Sequence, residues 1–194
     1  VPAGTVVDAT VGGAGHSRAI LDALPHVRIA GIDQDPAAVA VARERLAPYG
    51  DRASVTHLRF DHLDRLGLDG LSGVLFDLGV SSPQLDDPAR GFSYRFDGAL
   101  DMRMDPTRGE SAAEFLARAD VRELTEVIRD YGEERFAQSI ARAIAKARGG
   151  APIQTTRRLA EVVAQAVGAR TRGDWRQDPA ARTFQAIRIA VNRE

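Results

Sequence analysis

The sequence predicts an α/β fold with a parallel sheet, to which a helical module is attached. Three observations predict it. The first hundred residues alternate short β-branched runs with helical patterns, the arrangement of repeated βαβ units. A glycine-rich turn, Gly12-Gly13-Ala14-Gly15, follows the first of those runs directly. Beyond residue 110 the pattern is helical, with no run that reads as a strand.

Thr5 to Asp8 reads as the first strand, Ile29 to Ile32 as the second, Ala53 to Leu58 as the third and Gly73 to Phe76 as the fourth. Ser17 to Leu24 and Pro36 to Leu46 read as the connecting helices. The second of these is well marked: Asp35 stands at the cap, Pro36 suits the first helical position, and Val39, Ala42 and Leu46 recur at helical spacing. Residues 79 to 110 are rich in Gly, Pro, Asp and Ser and carry no convincing period; a loop of that length is usually functional or disordered. Helices are then expected over Ser111 to Arg118, Val121 to Asp130, Glu133 to Arg148, Thr155 to Val167 and Pro179 to Arg193. Phe136, Ile140 and Ile144 form one apolar stripe and Phe184, Ile187 and Val191 another, the latter behind an Asp178-Pro179 start.

Composition narrows the chemistry. The 194 residues are 44% hydrophobic and 27% charged, which suits a folded domain and excludes a disordered or fibrous chain. With no Cys, cysteine nucleophiles, iron–sulfur clusters and thiolate zinc sites are excluded, and the four His residues lack metal-site spacing. No metal is expected. No apolar run is long enough to span a membrane, and the first residues lack the features of a signal peptide, so a cytoplasmic protein is expected.

The formal charge of −1 hides an asymmetry: Arg142 to Arg193 holds 11 basic residues against Glu161, Asp174 and Asp178. Such a field attracts polyanions. The plainer reading is an arginine-rich composition with no binding role, since Lys146 is the one lysine.

The chemistry concentrates at the ends of the strands. Small residues after strand one let the backbone approach a ligand, with helix-start amides facing it. Asp33 ends strand two, 18 residues beyond Gly15, where a carboxylate accepts from both hydroxyls of a ribose. Its plainer role, shared with Asp35, is to cap the next helix. A dinucleotide calls for G-x-G-x-x-G; here the loop is G-G-A-G and follows Asp8, an acid poorly placed beside phosphates. S-adenosylmethionine has no phosphate and carries an ammonium, so the acid-flanked loop favours it over NAD. Strand four runs into Asp77 at the same sheet edge.

These residues also carry a resemblance. The stretch Asp8 to Ser17, then Asp77-Leu78-Gly79-Val80-Ser81-Ser82-Pro83-Gln84, Arg90-Gly91-Phe92-Ser93, Leu100-Asp101-Met102-Arg103-Met104-Asp105, Tyr131 to Phe136 and Arg182 to Asn192 together resemble the bacterial 16S ribosomal RNA (cytosine-N4)-methyltransferase family of the RsmH type. The blocks span nearly the whole chain.

The resemblance implies a Rossmann-like class I methyltransferase core over 1–107 and 182–194, with an inserted helical domain over 108–181. It implies S-adenosylmethionine as donor and, as acceptor, a cytidine in the decoding region of 16S rRNA within the small ribosomal subunit. Cofactor contacts would fall at Ala14, Gly15, His16, Asp33, Phe60, Asp77 and Gln84. Phe60 would offer an adenine face, with ordinary core packing as the alternative; His16 without the resemblance reads as a helix-start residue. Two departures stand out. Ala14 occupies a position that is often Gly in the family, tolerable if small size rather than positive φ is required, and Asp178 stands where the family usually has His.

Cytosine N4 is a poor nucleophile, so an acceptor for its proton is expected. Asp101 is the candidate catalytic acid, with Asp105 nearby; Ser82 or a carbonyl near Pro83 would also serve. The alternative for both acids is an ion-pair network around Arg103 that orders the loop. Arg157 and Arg158 are the candidate RNA contacts, against the alternative of a solvated face. Two further readings stay open: a methyltransferase acting on another nucleic acid or a small amine, and a non-catalytic protein that binds ribosome precursors. The acid Asp77 lacks the two prolines and aromatic of the bare N4-amino-methyltransferase signature. Four strands are few for a methyltransferase sheet, so the chain is expected to lack C-terminal strands and the helix that precedes strand one.

Overall fold

The structure, a computed structural model, describes residues 3–168 and 179–194. It divides into two compact units, Val1–Gly79 and Val80–Glu194.

The first unit is a four-stranded parallel sheet in the order β3-β2-β1-β4, from β1 (Gly4–Asp8), β2 (Val27–Asp33), β3 (Ala53–His57) and β4 (Gly73–Leu75). Helix α1 (Gly15–Ala23) joins β1 to β2, and α2 (Pro36–Leu46) joins β2 to β3. All four expected strands and both helices are present. Along β1, Val6 enters one core with Leu21, Ile29, Ala42 and Leu46, while Val7 enters a second with Ala9, Ala30 and Ile32, backed by Leu58, Phe60 and Leu63. A strand covered on both faces reads as a continuous apolar run, which is why β1 shows no alternation.

The chain runs outward through β2 and β3, then returns to place β4 on the other side of β1. Connections leaving β1 and β4 therefore diverge, and this reversal is where open α/β sheets bind ligands.

The second unit is helical: α3 (Ser82–Asp86), α4 (Ala112–Arg118), α5 (Val121–Asp130), α6 (Ala137–Gly150), α7 (Thr156–Val167) and α8 (Pro179–Asn192). Its core gathers Leu116, Leu124, Ile128, Ile140, Ile144, Leu159, Phe184 and Ile187 from the helices, with Phe92, Leu100, Met102 and Met104 from the long loop. Residues 80–107 and α8, which the resemblance places with the methyltransferase core, pack with the helices within this unit. The reason is apolar burial: Leu100, Met102 and Ile187 are among the largest fully buried side chains.

The loop is ordered by tertiary bonds rather than by periodicity. Thr156 Oγ1 donates to Phe96 O at 2.7 Å and accepts from Gly98 N at 3.1 Å, and an isolated bridge joins Ala99 to Thr155. Gly91, at φ 72, lies so close to the backbone that a Cβ there would fall 2.3 Å from Ala99 O. The loop also contains α3, which the sequence reading missed. Helix α6 starts at Ala137, four residues later than expected, because Glu133 takes φ 49 and turns the chain. Asp178, the expected cap of α8, lies outside the described residues, as do Arg170, Arg172 and Arg176 of the basic stretch.

Candidate functional site

The loop after β1 is built from its own small residues and three braces. Gly12 takes φ 49 and Ala14 takes φ 62, so the chain folds back and Ala14 N donates to Val11 O at 2.7 Å before α1 begins. No side chain caps α1, which leaves its first amides to other partners. A Cβ added at Gly15 would meet nothing within 4 Å, so the loop faces open space there.

The first brace is Asp8, 1% exposed, whose Oδ2 accepts from Ser17 Oγ at 2.6 Å and whose Oδ1 accepts from Thr10 N at 3.3 Å. Its carboxylate is thus turned into the fold, tying strand to helix. The sequence suggests an acid presented to a ligand beside the glycine loop; at 1% exposure it is instead withdrawn by burial. The second brace is Arg45 of α2, whose Nη1 donates to Gly13 O at 2.8 Å. The third is Thr10, whose Oγ1 accepts from Asp77 N at 2.8 Å and so links the loop of β1 to the loop of β4.

Asp33 ends β2 beside this loop. Its Oδ2 accepts from Gly12 N at 2.9 Å and its Oδ1 from Asp35 N at 2.9 Å. A carboxylate has about four acceptor positions, so two remain. Burial pushes the Asp33 carboxyl above the ordinary aspartate value, although the bonds from Asp35 and Gly12 pull it down. The capping role falls to Asp35 alone, whose Oδ1 accepts from Ala37 N at 2.9 Å.

His16 and Asp77 sit across the open side. His16 Nδ1 lies 3.8 Å from Asp77 Oδ2, and the side chains are 62% and 67% exposed. Phe60, half-buried, packs on the second sheet core and meets Phe76 edge to face, with ring centroids 5.9 Å apart at 86°. It packs against this core and keeps part of its surface open. Ala14, Gly15, His16, Asp33, Phe60 and Asp77 therefore all lie in the first unit at the carboxyl ends of the strands, where the sheet order reverses.

These residues fit the donor inferred from the sequence. Asp33 retains acceptors for ribose hydroxyls, Phe60 offers a ring, and the open space at Gly15 admits a ligand without a phosphate-binding glycine pattern.

The remaining candidates lie in the second unit. Gln84 is buried in α3, where its Oε1 accepts from Ser81 N at 3.0 Å and closes a capping box. Asp101 is held by Arg103 on both oxygens, with Nε–Oδ1 at 2.8 Å, Nη2–Oδ2 at 2.7 Å and Arg103 N on Oδ1 at 3.0 Å. Burial raises its carboxyl, but the Arg103 bonds outweigh it and the net shift is downward. Such a carboxylate is a poor proton acceptor, and its geometry is that of the loop-ordering ion pair. Asp105 Oδ1 accepts from Thr107 N and Oγ1 in a local turn, and its charge also acts on Arg103.

Arg157 and Arg158 open α7, the first exposed and the second half-buried. Arg157 Nε lies 3.4 Å from Asp97 Oδ2, and Arg158 Nη1 lies 3.4 Å from Glu161 Oε2, weak surface pairs that polyanions exchange easily. Arg148, counted in the basic stretch, instead anchors α6 by donating to Leu116 O and Ala119 O. Among the described residues, no helix is long and apolar enough to cross a membrane, and no group of three metal-ligating side chains assembles.

Thr10, Ser17 and Arg45 are the members that sequence reasoning missed. Thr10 and Ser17 lay inside the motif, but Arg45 reaches Gly13 from 32 residues away and leaves no local signal.

Comparison with known proteins agrees with this architecture. A family model described as the MraW methylase family matches residues 1–194. Among curated relatives, "Ribosomal RNA small subunit methyltransferase H" of Leptothrix cholodnii is 56% identical over 200 residues, covering 100% of this chain and 61% of the relative. The proteins of the same name from Chromobacterium violaceum and Neisseria meningitidis serogroup A are 57% and 56% identical, with 100% and 98% of this chain and 61% and 58% of the relatives covered. The chain spans about 61% of the length of the first two of these. The parallel sheet with its ligand-facing loops is a Rossmann-like methyltransferase arrangement, and the chain belongs to the MraW methylase family.

Proposed function

We propose that this chain carries the cofactor site of an S-adenosylmethionine-dependent methyltransferase that modifies the N4 amine of a cytidine in the decoding region of 16S rRNA, within the small ribosomal subunit. The observation that carries the reading is the meeting of three strand ends: Asp33 bonded to the glycine loop through Gly12 N, and Asp77 bonded to it through Thr10. The names of the relatives support the class of substrate. An RNA modifier of this kind works in the cytoplasm.

S-adenosylmethionine, when bound, supplies an electrophilic methyl group. In this reading Asp33 would accept from the ribose hydroxyls, the backbone of Ala14, Gly15 and His16 would hold the aminoacyl end, and Phe60 would cover the base. Transfer to nitrogen is an in-line displacement, so holding the amine on the line of the breaking bond supplies much of the rate. As the N–C bond forms, the amine loses a proton. Asp77, one of the cofactor contacts that the resemblance implies, keeps an exposed carboxylate beside His16 and in this reading also accepts that proton. Asp101 acts as a positioning residue: paired to Arg103, it fixes the loop rather than moving a proton. Arg157 and Arg158 hold phosphates of the RNA, with a salt dependence that their removal reduces.

The test is transfer of labelled methyl groups from S-adenosylmethionine to small subunits that lack the modification, with naked DNA as the competing acceptor.

A further inference from the structure

Strand β4 is three residues long, and its last paired residue, Leu75, lies opposite Asp8 of β1. Ala9 N adds one more bond, to Leu75 O at 2.9 Å. Residues 76–79 that follow are exposed, so neither the ladder nor burial fixes the place of Asp77. In a continuing parallel ladder Asp77 N would donate to a backbone carbonyl of β1. It donates instead to a side chain, Thr10 Oγ1, at 2.8 Å.

Thr10 is itself firmly held. Its N–H donates to Asp8 Oδ1 at 3.3 Å, and the next amide, Val11 N, donates to Ile32 O at 2.9 Å, so its backbone is tied on both sides. Asp8 in turn accepts from Ser17 Oγ, and both of these residues are buried. A β-branched side chain has few rotamers, so Thr10 Oγ1 is oriented before Asp77 meets it. The bonds thus run from the first turn of α1, through Asp8 and Thr10, to an exposed acid at the edge of the sheet. His16 also approaches Asp77, at 3.8 Å, but both side chains are exposed and water weakens such a pair. The bond from Asp77 N to Thr10, rather than the contact with His16, therefore sets where the carboxylate stands.

We propose that Thr10 is a positioning residue of the methyl-transfer site: its hydroxyl oxygen fixes the backbone of Asp77 and so keeps the Asp77 carboxylate beside the glycine loop. The inference rests on the reading of this sheet edge as an S-adenosylmethionine site and adds to it a residue that acts through another.

Two measurements test it. The first needs no cofactor: deuterium exchange of the Asp77 amide, followed residue by residue by NMR. Thr10→Val keeps the shape of the side chain and removes the acceptor, and the Asp77 amide then exchanges about tenfold faster, the scale of one lost hydrogen bond. Thr10→Ser, which keeps the oxygen, restores slow exchange. Thr10→Ala removes the acceptor without relying on the fit of a valine and is measured in parallel. The second is calorimetric binding of S-adenosylmethionine in a double-mutant cycle. Thr10→Val weakens binding about fivefold when Asp77 is present and has no further effect in Asp77→Ala, because its influence runs through Asp77. Thermal midpoints check that each variant is folded. A role in folding alone would lower the midpoint of Thr10→Val and leave its affinity unchanged, which would overturn the inference. Unchanged exchange at Asp77, or the same loss of affinity with and without the Asp77 side chain, would also overturn it. Wild-type protein that binds no S-adenosylmethionine contradicts the functional reading, and the exchange of the Asp77 amide then still decides whether Thr10 holds that residue.

Discussion

Ala14 shows how a single position sets the shape of the cofactor loop. The sequence left open whether small size alone mattered there; φ 62 shows that the left-handed conformation is also required, and the residue is 0% exposed. An L side chain in that conformation costs about 1–2 kcal/mol, part of which glycine returns as backbone entropy lost on folding. Ala14→Gly is therefore expected to stabilise the protein by up to about 1 kcal/mol in urea denaturation, whereas Ala14→Val destabilises it by more than about 2 kcal/mol through strain and overpacking. A stabilising Val would contradict the geometry. The charged residues divide in the same local way. Asp101, held below the ordinary aspartate value by Arg103, contributes stability that is fully present above that value and is lost as pH falls through the lowered one. Stability measured against pH should lose this acid-range component in Arg103→Met; an unchanged profile would show that the pair does not order the loop. Asp35 was legible as a cap because Pro36 follows it, while the role of Asp8 was not, because its partner Ser17 is fixed only by the tertiary turn.

Elements with a period were readable and elements without one were not. The four strands and α2 follow from apolar runs, a cap and a proline, so local chemistry and tertiary position agree. The segment 80–107 carries no period because its order comes from distant partners. Asn192 at the end of α8 is the clearest of them: its Oδ1 accepts from Met104 N at 2.7 Å, and its Nδ2 donates to Met102 O at 2.8 Å and Arg188 O at 2.9 Å. Met102 itself takes φ 63 and is fully buried, a conformation that persists only when its surroundings hold it. Asn192→Ala leaves buried backbone groups without partners and should destabilise the protein by about 2–4 kcal/mol in denaturant unfolding. A loss below about 0.5 kcal/mol, within the range of an ordinary surface change, would mean that the loop is held by its apolar side chains alone.

At the scale of the molecule, each unit carries a different part of the proposed task. The sheet unit assembles Asp33, Phe60, Asp77 and the glycine loop where β1 parts from β4, a position legible in the strand order because ligands bind where the sheet reverses. The helical unit carries the long loop and the arginines of α7, and it also holds a cleft lined by aromatic side chains. That cleft was illegible, since Phe92, Tyr94, Phe96 and Phe184 come together only when the loop folds over α8. The measurement that bears most directly on the methyltransferase reading is transfer from labelled S-adenosylmethionine to small subunits lacking the modification, followed by nucleoside analysis of the rRNA. Wild-type protein should place the label in N4-methylcytidine and leave naked DNA unlabelled, and Asp33→Ala should lose cofactor binding together with transfer. Label in DNA but not in rRNA, or full transfer by Asp33→Ala, would contradict it.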